Sequence, residues 1–405
     1  MISRGNQRTH TMLNPQLAPL DESISIAQLT LDPYPIYKHM RAEQPVLRVK
    51  ALGRTLLTKA VDTAMVKDNS ELFSSDDPNT PMKRAFLAHT LMRKDGEAHK
   101  RERMAMMSSL MPKTIINHWA PMYEQFAEEY IGRLSRGETV DLFGDLAGPI
   151  AARMLGEIMG IPDASDEALQ RWSQVLIEGA GNFGWRSEPF VDSDKANAEI
   201  DRCILANAER LKSEPDPSAL SVMLEQDNPI EMSQMISNIK IAIGGGINEP
   251  RDALLTILYG LLTNPDQLEV IRKEEKWAAA FEEGVRWVAP IQVSSRVVTA
   301  DTSIRDCHIP KGDTVMTIQA SACHDEELYD EPEKYNALRD RSSHQAFGNG
   351  AHFCAGAHVS RRTVGAILLP MLFDCFPNMQ IADPSVVKWR GFGFRGPINL
   401  PVKLL

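Results

Sequence analysis

The sequence predicts a mainly α-helical chain with a small β subdomain, and three observations lead there. Long stretches are apolar at three-to-four-residue spacing, short β-branched runs follow turn signals, and no repeat, low-complexity tract or linker divides the 405 residues. Residues 140–159 and 252–262 carry the helical period, and a longer run over 233–264 is stopped by Asn264-Pro265. Thr314-Val315-Met316-Thr317-Ile318 follows the turn Pro310-Lys311-Gly312 and reads as a strand. Residues 178–194, with glycine, proline and several aromatics, read as a mobile lid.

Composition narrows the class. With 43% hydrophobic residues the chain can bury a large core, and a net charge of -10 argues against a general nucleic-acid binder. The five cysteines, at 203, 307, 323, 354 and 375, are odd in number and lack paired spacing, so a reducing, cytoplasmic setting without disulfides is expected. Residues 1–18 are polar, and the apolar run 366–373 is short and broken by Pro370. Neither predicts a targeting or membrane-spanning segment.

The chemistry concentrates in Phe347-Gly348-Asn349-Gly350-Ala351-His352-Phe353-Cys354-Ala355-Gly356, directly before a helical run. Gly348 and Gly350 permit backbone conformations closed to residues with a Cβ, and Gly356 lets a helix start lie close against something flat. Cys354 is thereby expected on a tight loop at a helix N-terminus, where unpaired amides and the helix dipole favour the thiolate that ligates metals.

This decapeptide resembles the haem-binding loop of the cytochrome P450 family, Phe-Gly-x-Gly-x-His-x-Cys-x-Gly, at every fixed position. The resemblance implies a fold that encloses haem in a triangular helical prism and a haem b whose iron takes Cys354 as its ligand. Phe347 would pack near the sulfur and His352 lie close to a propionate. Other motifs agree in order and spacing. Glu283-Gly284-Val285-Arg286 fits the family's Glu-x-x-Arg, and Arg339 falls where the third member of that structural charge triad is expected. His99 and Arg103, at i,i+4 on one helix face, resemble a propionate clamp, and Arg296 matches another propionate arginine. Asp32-Pro33-Tyr34-Pro35-Ile36-Tyr37 resembles the family's first helix entry, so the likeness spans roughly residues 30 to 403. It implies an N-terminal extension over 1–29 and one haem-thiolate monooxygenase domain over 30–405.

The departure from the family lies in the long helical run. Where members carry an acid-alcohol pair, this chain reads Asn248-Glu249-Pro250 after Gly244-Gly245-Gly246. Pro250 cannot donate to the carbonyl of Gly246, so a bend or opening is expected, and the glycines are expected to leave a groove for dioxygen, water or substrate. A carboxylate in an apolar helix is costly unless protonated, bonded or functional. Glu249 is therefore the expected proton-handling group, with Asn248 orienting it.

The same substitution, with Trp389-Arg390-Gly391-Phe392-Gly393-Phe394-Arg395-Gly396-Pro397, is similar to a bacterial subgroup containing the guaiacol O-demethylase cytochrome. That implies Phe394, Gly245 and Phe183, or Trp185, as substrate contacts. The expected reaction is insertion of one oxygen atom from O2 into a small aromatic or otherwise apolar organic substrate, by hydroxylation or O-demethylation. Electrons are expected from a separate ferredoxin or flavin-containing reductase docking beside Lys100, Arg101, Arg361 and Arg362. The alternatives are a peroxide-driven enzyme on the same fold and a haem-based binding or sensing protein without turnover.

Overall fold

In the computed structural model, residues 16–340 and 343–405 are described; residues 1–15 of the expected N-terminal extension lie outside them. The apolar periodicities become helices that pack around the long helix Met232–Leu262. Its neighbours are the helices Gly148–Met159, Asp166–Ala180 and Trp277–Trp287, each presenting an apolar face to it. Ile239, Ile243, Ile247, Leu254, Leu258 and Leu261 of the long helix have no solvent exposure beyond 1% and form the axis of the main core. Residues 140–159 divide into the strand Thr139–Asp141, a π-helical turn Phe143–Ala147 and the helix proper.

The long helix ends at Leu262, and Pro265 opens the next helix, Pro265–Lys273, with its ring where no backbone donor is needed. Pro250 does not interrupt the helix: α-helical structure is continuous through it, with helices packed on its flanks. Gly246 O still loses the donor that residue 250 would supply in a regular helix.

Beside the helices stands a six-stranded sheet, whose strands lie in the spatial order Leu20–Asp21, Val46–Val49, Arg54–Leu57, Thr314–Ile318, Val293–Val298, Phe73–Ser74. The predicted strand Thr314–Ile318 is central and buried at every residue, pairing parallel with Thr55 to Leu57 and antiparallel with the strand bearing Arg296. Its preceding turn closes with Asp313 N donating to Pro310 O at 3.1 Å and Gly312 at φ +89°. Two further three-stranded sheets and one two-stranded sheet complete the β part of the described residues. The architecture is mainly α with small β elements, as predicted from the sequence.

The segment 178–194, expected as a lid, has regular structure. It is the end of one helix, a turn, and the start of the helix Ser187–Ser213. Asn182 pins the turn at both sides, Nδ2 donating to Arg186 O at 2.7 Å and Oδ1 accepting from Arg186 N at 3.1 Å.

Candidate active site

A cavity of about 360 Å³ lies between the long helix and the cysteine loop. The loop is built as its glycines require: Gly348 and Gly350 sit at φ +69° and +64°, and a Cβ on Gly350 would meet Lys67 O at 2.8 Å. Cys354 N donates to Phe347 O at 2.9 Å, closing the turn, and Cys354 lines the cavity as a free thiol. Gly356 also lines the cavity, and a Cβ there would touch nothing, leaving a flat surface beside the sulfur. The thiol, however, is not pre-ionised. Burial pushes its pKa up and outweighs the Gly356 amide that favours the anion, so ionisation accompanies metal binding rather than preceding it.

Around the loop gather the predicted basic residues. The His99 and His352 rings lie 4.1 Å apart, and Arg103 Nη2 donates to Phe353 O at 2.6 Å. His352 Nε2 is 3.0 Å from Ser75 Oγ and 3.6 Å from Asp95 Oδ1. Arg296 is buried, with Nη1 donating to Ser295 O at 2.8 Å. Burial and the neighbouring Arg93 push Arg296 down to about 10. Two cations here escaped sequence reasoning. Arg93 is buried with Nε unpartnered, and Lys67 is buried with Nζ unpartnered, pushed down to about 7 by burial and by Arg296. Neither belongs to a motif; each reaches the cavity wall only through tertiary folding.

On the opposite wall, Gly245 and Glu249 face the cavity from successive turns of the long helix. Both carboxylate oxygens of Glu249 are enclosed and without partners, and a Cβ on Gly245 would stand 3.5 Å from one of them. Burial raises the Glu249 pKa well above its ordinary value. Asn248 does not join it. The Asn248 amide is buried and unbonded, but its position about 100° around the helix takes it off the cavity wall. The glycines also differ from expectation, since the space beside Gly244 and Gly246 is filled by Phe86 and Leu155.

Phe394 reaches the cavity because Gly391, at φ +117°, folds the preceding turn back and Gln292 N donates to Gly393 O at 3.0 Å. Phe183 does not line the cavity. It packs edge-on against Phe392 at 5.5 Å, beneath the Arg54 guanidinium, in a separate apolar cluster. Trp185 is 52% exposed and also stands off the cavity.

The charge triad assembles away from the cavity. Arg286 donates to Glu283 through Nε at 2.7 Å and Nη2 at 2.8 Å, and its Nη1 reaches Cys323 O and Pro332 O. Arg339 Nε stands 3.6 Å from the same carboxylate, which also accepts from Asn336 N. Nearby, Glu282 accepts from Arg361 at 2.5 Å and lies 2.8 Å from His344 Nε2. Arg361 is therefore committed within the fold rather than free for a partner.

Comparison with known proteins fits this arrangement. The cytochrome P450 family model matches residues 278–379, which contain the triad and the cysteine loop. The steroid C26-monooxygenase of Mycobacterium tuberculosis is 27% identical over 379 residues, covering 90% of this chain and 92% of that one. The 6-deoxyerythronolide B hydroxylase of Saccharopolyspora erythraea is 25% identical over 397 residues, covering 92% and 96%. The chain belongs to the cytochrome P450 family. The solved structure of the P450 enzyme CxnD superposes with a TM-score of 0.85 at 22% identity, covering 96% of this chain and 98% of that one, which gives the shared fold.

This P450 is thus a haem b monooxygenase, an oxidoreductase that uses O2, a substrate and an external electron donor. Its residues fit the cofactor. Lys67, Arg93 and Arg296 are buried cations with unmet hydrogen-bonding or charge demand at one rim of the cavity, and His99 Nε2 there is also unpartnered. The two propionates of a haem would supply negative charge to this rim. Among the described residues no group of three His, Cys, Asp or Glu side chains stands ready for a bare metal ion, whereas Cys354 would offer a single sulfur donor to a preassembled iron complex. No helix among the described residues is long and apolar enough to cross a membrane.

Proposed function

We propose that this P450 inserts one oxygen atom from O2 into a C–H bond of an apolar organic substrate, with Glu249 holding and delivering the proton the reaction consumes. One oxygen atom enters the C–H bond; the other leaves as water after uptake of two electrons and two protons. On a methoxyarene the product is a hemiacetal that loses formaldehyde, which is O-demethylation. Cys354 and the basic rim would hold the haem, which would supply the activation of dioxygen. The chain's part is binding, exclusion of water and proton control.

The observation that carries this reading is the Glu249 carboxyl, enclosed in the cavity wall with both oxygens unpaired. Burial raises its pKa, so the group stays protonated further toward neutrality than a free carboxyl and acts first as a donor. Asn248, off the wall, takes no part in orienting it. The wall around it is apolar, with Ile241, Ala242 and Ala253 on the helix and Phe394 from the C-terminal turn, which suits an apolar guest. A ferredoxin or flavin-containing reductase is the proposed electron donor. Lys100 and Arg101 are exposed for such docking, and Arg362 has only a long contact to Glu124 at 3.7 Å.

The same carboxyl supports a second reading, hydrogen peroxide as oxidant, because the ionised form can accept a peroxide proton. Its share rises with pH, so peroxide-driven turnover gains on the O2-driven route as pH increases. The test is product formation by Glu249→Gln and Glu249→Ala under both regimes. A drop on the order of 10²-fold, the size of general acid–base assistance, is expected in at least one of them. Unchanged rates in both remove Glu249 from the reaction. Cys354→Ala should lose the thiolate-type Soret band of the reduced carbon monoxide complex; retention would overturn the ligand assignment.

A further inference from the structure

We infer that Asn238 anchors the far end of the substrate, gripping a neutral group that both donates and accepts hydrogen bonds, a hydroxyl or a carboxamide. The inference rests on the reading of the cavity as a monooxygenase substrate site and narrows that substrate to an elongate molecule, apolar along its length and polar at one end.

Asn238 has no solvent exposure, and neither its Oδ1 nor its Nδ2 has a hydrogen-bond partner. The side chain lines the same cavity as Glu249 and Cys354. A buried amide with both ends unmet is costly; Asn248 carries that cost off the cavity wall, whereas Asn238 carries it on the wall, where a guest can relieve it. Asn197, equally enclosed, donates to Ala85 O at 2.7 Å and to Ser193 O at 2.8 Å, and Asn207 donates to Cys203 O at 3.1 Å. Asn238 has been left free toward the cavity instead.

Its register fixes what it can hold. Asn238 precedes Gly245 by seven residues and Glu249 by eleven, two spacings that return to within about 20° of the same helix face. At 1.5 Å per residue the amide stands about 16 Å along the helix from Glu249. Between them the cavity face carries Ile241, Ala242, Gly245 and Gly246, which offer no side-chain hydrogen bond. Lys240, the neighbouring cation, is turned away to Asp201 at 2.6 Å. A guest that reaches from the reaction site to Asn238 is therefore apolar in its middle. Its distal group is neutral, because a carboxylate would satisfy Nδ2 but set its charge against Oδ1 with Lys240 already committed. A single-ring methoxyarene lying beside Glu249 is too short to reach Asn238.

The experiment uses haem-loaded enzyme and two probes of equal chain length, dodecan-1-ol and 1-chlorododecane, with affinities measured by calorimetry and by the spin-state shift. The wild type should bind the alcohol roughly tenfold more tightly, the worth of about one to two net hydrogen bonds. Asn238→Leu and Asn238→Ala should each abolish that preference while still binding 1-chlorododecane, which also shows that the variants fold. Oxygenation of the alcohol should fall on the end remote from the hydroxyl. A preference that survives both substitutions, or that is absent from the wild type, overturns the assignment. Tight, Asn238-dependent binding without any oxygenated product would instead sink the monooxygenase reading and leave Asn238 as the anchor.

Discussion

Alanine placed at three consecutive glycines of the long helix should give two opposite results. Each Gly→Ala change removes backbone freedom from the unfolded chain and gains about 1 kcal/mol of helix propensity. What the new methyl meets decides the net sign. At Gly244 it would stand 2.7 Å from Phe86 Cζ, a rigid ring with no exposure, and overpacking of that kind costs about 1–3 kcal/mol. At Gly246 it would stand 2.5 Å from Leu155 Cδ1, but Leu155 also lines the cavity and can swing toward it, so the cost falls at the low end of that range. At Gly245 the nearest atom is 3.5 Å away, an ordinary contact. Gly245→Ala should therefore stabilise by about 1 kcal/mol, Gly246→Ala be nearly neutral, and Gly244→Ala destabilise by about 1–2 kcal/mol. Denaturant unfolding of the three variants reads this as midpoint shifts at constant slope. If Gly245→Ala loses stability alongside Gly244→Ala, the account of which glycine faces open space is wrong.

Three further outcomes follow from the same geometry. Arg286→Ala strips a buried carboxylate of its bidentate partner and frees the carbonyls of Cys323 and Pro332, so thermal or denaturant unfolding should show a loss of about 3–5 kcal/mol; a loss below about 1 kcal/mol would mean that Arg339 suffices. Glu249 has its folded pKa raised above the ordinary 4.5 by burial, so its contribution is harmless below that pH and turns destabilising as pH rises past it, where the unfolded chain ionises first. Glu249→Gln should accordingly gain stability over wild type at about pH 8 and gain none from this source at about pH 4; a pH-independent difference would contradict the enclosed carboxyl. Lys67 is the reverse case, lowered from 10.5 to about 7 by burial and Arg296, so haem-free protein should become more stable as pH rises between those values. Lys67→Met should flatten that rise yet speed haem loss from the loaded enzyme to a haem-scavenging protein, and slower loss would show that Lys67 is not a propionate partner.

Which features the sequence reveals depends on whether a constraint is local. The cysteine loop is local: the conformations of Gly348 and Gly350 follow from the lack of a Cβ, and the Cys354 amide closes onto Phe347 within the same ten residues. Glu283 and Arg286 are one turn apart, so their bidentate pair was legible, as was the helix break at Asn264-Pro265. The faces of the long helix were not, because the choice between groove and contact at Gly244 and Gly246 is made by Phe86 and Leu155, more than ninety residues away. Asn248 and Phe183 had suitable chemistry but the wrong facing, which helix phase decides in one case and the Phe392 cluster in the other. Lys67 and Arg93 are single cations without a motif, and only their convergence on Arg296 marks them as a site.

The cavity is electrically one-sided, and that asymmetry explains why a carboxyl is tolerable where the family carries an alcohol. Beside the basic rim of Lys67, Arg93 and Arg296 lie Asp76, Asp77 and Asp95; Asp77 is already paired with Arg54, and Asp95, which burial works to neutralise, is kept ionised by hydrogen bonds from His352, Ser74 and Ser75. Two propionates would bring the rim near balance and leave no surplus positive charge to draw the proton from Glu249. The opposite wall is apolar, and the nearest arginine on the helix, Arg251, is already bonded to Asp252 at 2.8 Å and stacked over Phe143. Glu249 thus faces burial without a cationic partner, the condition under which a carboxyl keeps its proton. Pro250, the next residue, cannot supply the backbone donor that Gly246 O, one turn away, would receive in a regular helix. In the proposed reaction Asn248 is not needed to orient the Glu249 proton, because helix phase keeps its amide off the cavity wall.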